Sequence, residues 1–243
     1  MEVIQVQHFK KMFGKKEVHK DVSFSVRKGE CLALLGGSGA GKSVILRSLI
    51  GLERPDAGQI LIDGQDITLI KESALTPIRK KVAYVFQNGA LFDSMYVYDK
   101  LAYPLQEHTQ CTPGEIKEKV EALLNEFNLA GNENLLPNEL SGGMQKRVGL
   151  ARAIILQPKV ILYDEPTAGL DPANTIVIQD LILKLKGKGV TSILVTHDME
   201  TALRVCDRAC FLENGEITDL GDLDELRKHK DRILEFFIRG YHD

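Results

Sequence analysis

The sequence predicts an α/β fold, and three observations carry that prediction. The apolar run Cys31–Leu35 leads into Gly36-Gly37-Ser38-Gly39-Ala40-Gly41-Lys42-Ser43, which fits GxxxxGK[ST], and a helical pattern starts at Lys42. A second apolar run, from Val160 to Tyr163, is too short for a helix, suits a strand buried on both faces, and ends in two carboxylates, Asp164 and Glu165. The N-terminal segments alternate apolar and polar residues with period two, as strands do. With 243 residues and 44% hydrophobic content, the chain is long enough for one sizeable core.

The elements follow in order. Residues 3–9 and the alternating Val22, Phe24 and Val26 read as strands, and residues 58–66 as a hairpin turning at Asp63-Gly64. The apolar runs 82–86 and 190–195 read as further core strands. Thr112-Pro113-Gly114 opens a helix over 115–129 whose Ile116, Val120, Leu123, Leu124 and Phe127 share one stripe. Leu136-Pro137-Asn138 leads into a second helix, begun at Ser141. Asn214-Gly215 marks a late hairpin, and residues 223–238 a closing helix whose Leu226, Ile233, Leu234 and Phe237 dock on the core or on a partner.

Composition excludes some functions. A net charge of −3 leaves no broad basic footprint for nucleic acid, and Lys10-Lys11, Lys15-Lys16 and the cluster 227–230 read as solvated faces. The four cysteines form no paired CxxC arrangement, so Cys206 and Cys210 read as buried thiols rather than metal ligands. With no signal peptide and no apolar stretch of about 18 residues, the expectation is a cytosolic chain that cannot cross a membrane alone.

The glycine-rich segment is where the chemistry begins. Its glycines let consecutive N–H groups and the positive end of a helix converge on the β- and γ-phosphates of a nucleotide. Lys42 adds a point charge, and the Ser43 hydroxyl is placed to ligate Mg2+. Asp164 can hold the metal through its water shell, while Glu165 can polarise the water that attacks the γ-phosphate. Ser141, Gly142 and Gly143 stand at a helix start, a second anion site. One ATP does not need both sites, whereas two copies arranged head to tail would sandwich two nucleotides between them.

With these residues in place, the chain resembles the nucleotide-binding subunit of ABC transporters over nearly its whole length. The resemblance implies a phosphate-loop NTPase of ABC type, with a mixed RecA-like core sheet, an antiparallel β subdomain and an inserted α-helical subdomain. On that pattern 1–87 and 158–221 form the nucleotide-binding core with its β subdomain, 88–157 the helical subdomain with the signature helix, and 222–243 a C-terminal helix. Gln87 looks like the glutamine that links metal and attacking water to a membrane partner. Leu140 to Gln145, with Ser141, Gly142, Gly143 and Gln145, looks like the signature motif acting on a partner's ATP, and Asp171 belongs to the loop that crosses the dimer interface. His197 looks like the histidine that touches the γ-phosphate, and Phe13 matches the aromatic that stacks on adenine, though a packed core phenylalanine remains an alternative there. Two departures stand out: Val44 replaces the usual Thr, leaving only its backbone N–H for the α-phosphate, and Gly37 replaces the usual Pro, loosening the start of the loop.

The string from Phe86 to Met95, the segment 96–107 with Ala102-Tyr103-Pro104-Leu105, Glu107-His108-Thr109 and Pro137-Asn138-Glu139-Leu140 together resemble the Mla-type ATPases of MCE-associated lipid transporters. That resemblance implies an ATP- and Mg2+-dependent homodimer on the cytoplasmic face of the inner membrane. Its partners would be an integral permease, an MCE-domain lipid-binding protein and a small STAS-type subunit, and its cargo phospholipid moved between inner and outer membranes. An amino-acid importer ATPase and a soluble iron–sulfur assembly ATPase are the alternatives.

Overall fold

The computed structural model describes residues 1–87 and 94–227. Among them, ten strands form one curled sheet in the order β5-β4-β1-β2-β10-β9-β3-β8-β7-β6. The strands are β1 (Glu2–Phe13), β2 (Lys16–Arg27), β3 (Cys31–Leu35), β4 (Ala57–Ile62), β5 (Gln65–Asp66), β6 (Val82–Val85), β7 (Val160–Asp164), β8 (Thr191–Val195), β9 (Arg208–Glu213) and β10 (Glu216–Asp222). β9, β3, β8, β7 and β6 run parallel, whereas β1 pairs antiparallel with both β2 and β4. This is the mixed core sheet with an antiparallel part that the family resemblance implies.

The parallel strands are apolar throughout because both their faces are covered. In β3, Cys31, Ala33 and Leu35 join one apolar cluster while Leu32 and Leu34 join the other, and Ile161 and Tyr163 alternate with Val160 and Leu162 in β7. Helix α1 (Lys42–Leu49) covers one face with Ile45, Leu46 and Leu49. Fully burying one such side chain contributes roughly 1.5–3 kcal/mol. The other face carries α3 (Val97–His108), α4 (Pro113–Glu126), α5 (Gly142–Ile154), α6 (Pro172–Gly187), α7 (Met199–Val205) and α8 (Leu223–Arg227); a short α2 (Thr76–Lys81) precedes β6.

Local chemistry explains the boundaries. Thr112 and Glu115 form a reciprocal capping box at α4, whose Ile116, Val120, Leu123 and Leu124 are buried as the stripe predicts, with Phe127 just beyond its end. The hairpin turns at Asp63-Gly64 and Asn214-Gly215 take positive φ at both residues, the geometry that matches strand twist. β1 and β2 run longer than their apolar alternation, because a tight turn at Gly14 continues the pairing to Phe13↔Lys16 through several register shifts. Cys206 and Cys210 are buried thiols as expected, and Cys206 lies with its Sγ 3.3 Å from that of Cys31. Of the closing helix expected over 223–238, α8 shows the start, with Leu223 and Leu226 buried, and the remainder lies outside the described residues.

Candidate functional site

The parallel strands deliver their carboxyl ends to one edge of the sheet, which is where ligands of open α/β folds bind. From β3 the chain enters the glycine-rich loop. Gly36 has φ 154° and its backbone passes so close to β9 that a Cβ there would meet the Leu212 carbonyl oxygen at 2.4 Å. Gly41, at φ 97°, serves as N-cap of α1 without any capping side chain, leaving the helix's first N–H groups to an anion. Lys42 is buried and its Nζ donates to the carbonyls of Gly36 and Gly37, both at 2.8 Å. Burial lowers its pKa, and the nearby Glu165 and Asp164 carboxylates oppose that shift. Val44 buries its side chain and its N–H donates to Gly41 O at 2.9 Å.

The loop meets the paired carboxylates directly. Ser43 Oγ donates to Asp164 Oδ1 at 2.8 Å, and Tyr84 Oη donates to Asp164 Oδ2 at 2.6 Å. Burial, reinforced by that carboxylate, pushes the Tyr84 phenol pKa well up, so it remains a donor at any ordinary pH. Glu165 adopts φ 49°, an unfavourable conformation for a non-glycine residue and one that clusters at functional sites. Its N–H bonds Val195 O at 3.0 Å, tying it to the end of β8. Two residues further on, His197 Nδ1 lies 2.9 Å from Glu165 Oε1, with the histidine side chain 62% exposed and the glutamate 13%. Glu165 Oε2 is buried with no hydrogen-bond partner among the described residues, an acceptor held ready for a donor.

Gln87, two residues past the end of β6, is exposed, and its carbonyl accepts a hydrogen bond from Lys146 Nζ on α5. The same ammonium lies 3.5 Å from the Glu165 carbonyl; burial lowers its pKa, with Glu165 opposing. The six residues after Gln87 lie outside the described chain.

A second cluster stands at the start of α5. Ser141 caps the helix by accepting from Met144 N at 3.3 Å, and Gly142 next to it is exposed. Gln145 turns its amide inward, donating to Pro137 O at 2.8 Å and Leu140 O at 3.3 Å, so it braces the turn before the helix. Gly143 is buried against Asn174: a Cβ there would lie 2.3 Å from Asn174 Oδ1. Asn174 in turn holds Asp171 through N···Oδ1 at 3.0 Å and Nδ2···Oδ2 at 2.5 Å, and these bonds keep the Asp171 carboxyl below the usual carboxylate range. The structure thus gathers Lys42, Ser43, Asp164, Glu165, His197 and Gln87 at one sheet edge and Ser141, Gly143 and Asp171 in another group. No hydrogen bond among the described residues joins Ser141–Gly143 to the phosphate loop. Phe13 is 45% exposed with Lys11 Nζ 5.2 Å above its ring, so it is not a packed core residue.

Tyr84, Lys146 and Asn174 were not legible as site residues. A tyrosine on a core strand signals that its hydroxyl needs a buried partner, but nothing in the sequence says that the partner is Asp164.

The oxygen donors Ser43, Asp164 and Gln87 suit Mg2+. Among the described residues no group of three or more His, Cys, Asp or Glu side chains could hold a metal alone.

Residues 19–168 match the family described as ABC transporter. The chain is 42% identical over 98% of its length to the "Probable ribonucleotide transport ATP-binding protein mkl" of Mycobacterium leprae, spanning 69% of that protein. It is 39% identical over 95% of its length to the "Intermembrane phospholipid transport system ATP-binding protein MlaF" of Escherichia coli K12, spanning 86% of it. Among solved structures, a dimeric ATP-binding cassette in a post-hydrolysis state bound to ADP and phosphate superposes with TM-score 0.83 at 30% identity, covering 90% of this chain and 98% of that one. A cbiO1 subunit from Clostridium perfringens superposes with TM-score 0.85 at 27% identity, covering 98% of this chain and 95% of that one.

Proposed function

The chain belongs to the ABC transporter family as a nucleotide-binding, ATP-hydrolysing subunit, and from that premise we propose that it is the motor of a system moving phospholipid between two membranes. The observation that carries the cargo is the 39% identity to MlaF across 95% of this chain and 86% of that protein. The segments 96–109 and 137–140, with the string that begins at Phe86, add to it.

In the proposed cycle ATP lies along residues 36–44, with adenine against Phe13. The loop N–H groups and Lys42 meet the β- and γ-phosphates, Lys42 exchanging its bonds to the Gly36 and Gly37 carbonyls for phosphate oxygens. Ser43, Asp164 and Gln87 would hold Mg2+, which neutralises phosphate charge when bound. Glu165 accepts a proton from the attacking water as its oxygen bonds to the γ-phosphorus and the β–γ bridging oxygen leaves with ADP; the proton then passes to phosphate or solvent. His197, 2.9 Å from Glu165 Oε1, orients that carboxylate and reaches the γ-phosphate from its exposed side.

Ser141, Gly142 and Gly143 meet the γ-phosphate bound to a second copy, and Asp171 crosses between the copies, so ATP closes the pair and hydrolysis opens it. The units 1–87 with 158–221, 88–157 and 222–243 are the proposed core, helical lobe and C-terminal helix. Among the described residues no helix is long and apolar enough to cross a membrane; a separate permease supplies the passage, with the motor bound peripherally on its cytoplasmic face. Tyr96 and Tyr103, both nearly half exposed at the start and in the body of α3, offer aromatic contacts to that permease. An MCE-domain lipid-binding protein and a small STAS-type subunit complete the proposed assembly.

The test is affinity isolation of the tagged chain from detergent-solubilised native membranes with mass spectrometry. A permease together with an MCE-domain protein supports the reading. A solute-binding importer complex, or only soluble scaffold proteins, refutes the lipid cargo and leaves the ATPase standing.

A further inference from the structure

We propose that His19 is a positioning residue of the phosphate loop, its imidazole donating a hydrogen bond to the loop backbone around Gly41 when nucleotide is bound. His19 is wholly buried on β2, edge-on to Phe9 at a centroid distance of 5.1 Å. Neither ring nitrogen makes a well-formed hydrogen bond among the described residues; the backbone of Gly41 lies near enough only for a weak one, which nudges the imidazole pKa upward. A buried polar group left unpaired is costly and calls for an explanation, since an apolar side chain of similar size would fill the same volume without that cost.

The ring faces the loop. A Cβ placed on Gly41 would lie 2.6 Å from His19 Nε2 and 2.7 Å from Val18 Cγ1, so the backbone there rests directly on β2. Burial holds the imidazole pKa down, to about 4, with the Gly41 backbone opposing the shift, so the ring is neutral near pH 7 and offers one donor and one acceptor. A phosphate-binding loop turns successive N–H groups onto the anion. An imidazole N–H set against Gly41, the N-cap of α1, is suited to hold the backbone there and so to fix the passage from the loop into the helix.

This inference rests on residues 36–43 being the phosphate loop, which nucleotide binding by the unaltered protein tests separately. The experiment compares the unaltered protein, His19→Leu and His19→Gln for affinity toward adenylyl imidodiphosphate with Mg2+, for kcat and KM, and follows the ring nitrogens of His19 by 15N NMR in the unaltered protein with and without the analogue. The expected result is about fivefold weaker nucleotide affinity and a matching rise in KM for His19→Leu with kcat little changed, the size of one neutral hydrogen bond. His19→Gln, which keeps an N–H, should recover most of the affinity, and the His19 ring signal should move on nucleotide addition. Equal affinity in His19→Leu, or a His19 ring signal unmoved by saturating analogue, overturns the proposal. Should His19→Leu fail to fold, the NMR measurement on the unaltered protein still decides.

Discussion

Acidification should destabilise this protein through His19 by an amount that can be worked out. Its pKa is lowered from 6.5 to about 4, chiefly by burial. The unfolded chain therefore takes up a proton on this residue near pH 6.5, while the folded chain refuses it until about pH 4. Between those values the unfolded state binds more protons, so stability falls as pH falls. Above the window neither state carries the proton and the contribution is fully present; below it both do and the contribution is gone. At about 1.4 kcal/mol per pH unit the whole loss is about 3 kcal/mol, of which about 2 kcal/mol is gone by pH 5. That is a large share of the roughly 5–15 kcal/mol that holds a domain of ordinary stability together. The assay is urea unfolding, followed by far-ultraviolet circular dichroism, of the unaltered protein and His19→Leu at intervals from pH 7.5 to 4.5. Other titrating groups are common to both proteins and cancel in the difference. The unaltered protein should lose about 2 kcal/mol relative to the variant between pH 7 and pH 5. Parallel curves would refute the argument, showing that the ring gains solvent or a partner that the packing around Phe9 and Gly41 does not provide.

Three further outcomes follow from the site. Glu165→Gln should bind ATP yet hydrolyse it at least about 100-fold more slowly, and should accumulate as a closed dimer on size-exclusion chromatography with ATP; turnover equal to that of the unaltered protein removes Glu165 as base. Tyr84→Phe deletes the 2.6 Å bond to the buried Asp164 and should cost about 1.5–3 kcal/mol in urea unfolding at pH 7, so an unchanged midpoint and slope would show that the carboxylate does not rely on the phenol. Gly143→Ala sets a methyl 2.3 Å from Asn174 Oδ1; it should leave ATP binding by single subunits intact while lowering dimer turnover about tenfold or more, and undiminished turnover counts against a role for that turn in trans.

How legible the molecule was depended on whether the determining contacts were local. The phosphate loop, the capping box at Thr112 and Glu115, and the turns at Asp63-Gly64 and Asn214-Gly215 are each set by residues within a few positions of one another, and each stands where the sequence puts it. The helix Pro172–Gly187 was not read from the sequence, although Asp171 as cap and Pro172 in the first turn are ordinary start signals. Its apolar residues are spread around much of the cylinder, so no single stripe announces it. What could not be read at all depends on partners far along the chain. Tyr84 meets Asp164 across 80 positions, Lys146 reaches Gln87 across 59, and Gly143 rests on Asn174 where the first turns of α5 and α6 meet. The alternative of a core phenylalanine at Phe13 was open for the same reason, since residue type alone does not say which side of a long twisted hairpin faces the core.

Those distant contacts also bear on why two nucleotides would be handled together. On the proposed reading the first turn of α5, with Ser141 and Gly143, serves the ATP of a second copy, whereas Lys146 on the same helix donates to the carbonyls of Gln87 and Glu165 beside the protomer's own ATP. At about 1.5 Å per residue the two sets of groups stand roughly 4–8 Å apart along one helix. A packed helix moves as a body, so a displacement that re-aims its first turn also changes the seating of Lys146. The Gly143–Asn174–Asp171 contact adds a second tie, from the same turn to the start of α6. A site built on separate loops could adjust one contact without the other. Mounting both on α5 makes the grip on a partner's phosphate and the backbone position of the protomer's own Glu165 two readings of one displacement, which is the physical requirement for alternately closing and opening a pair.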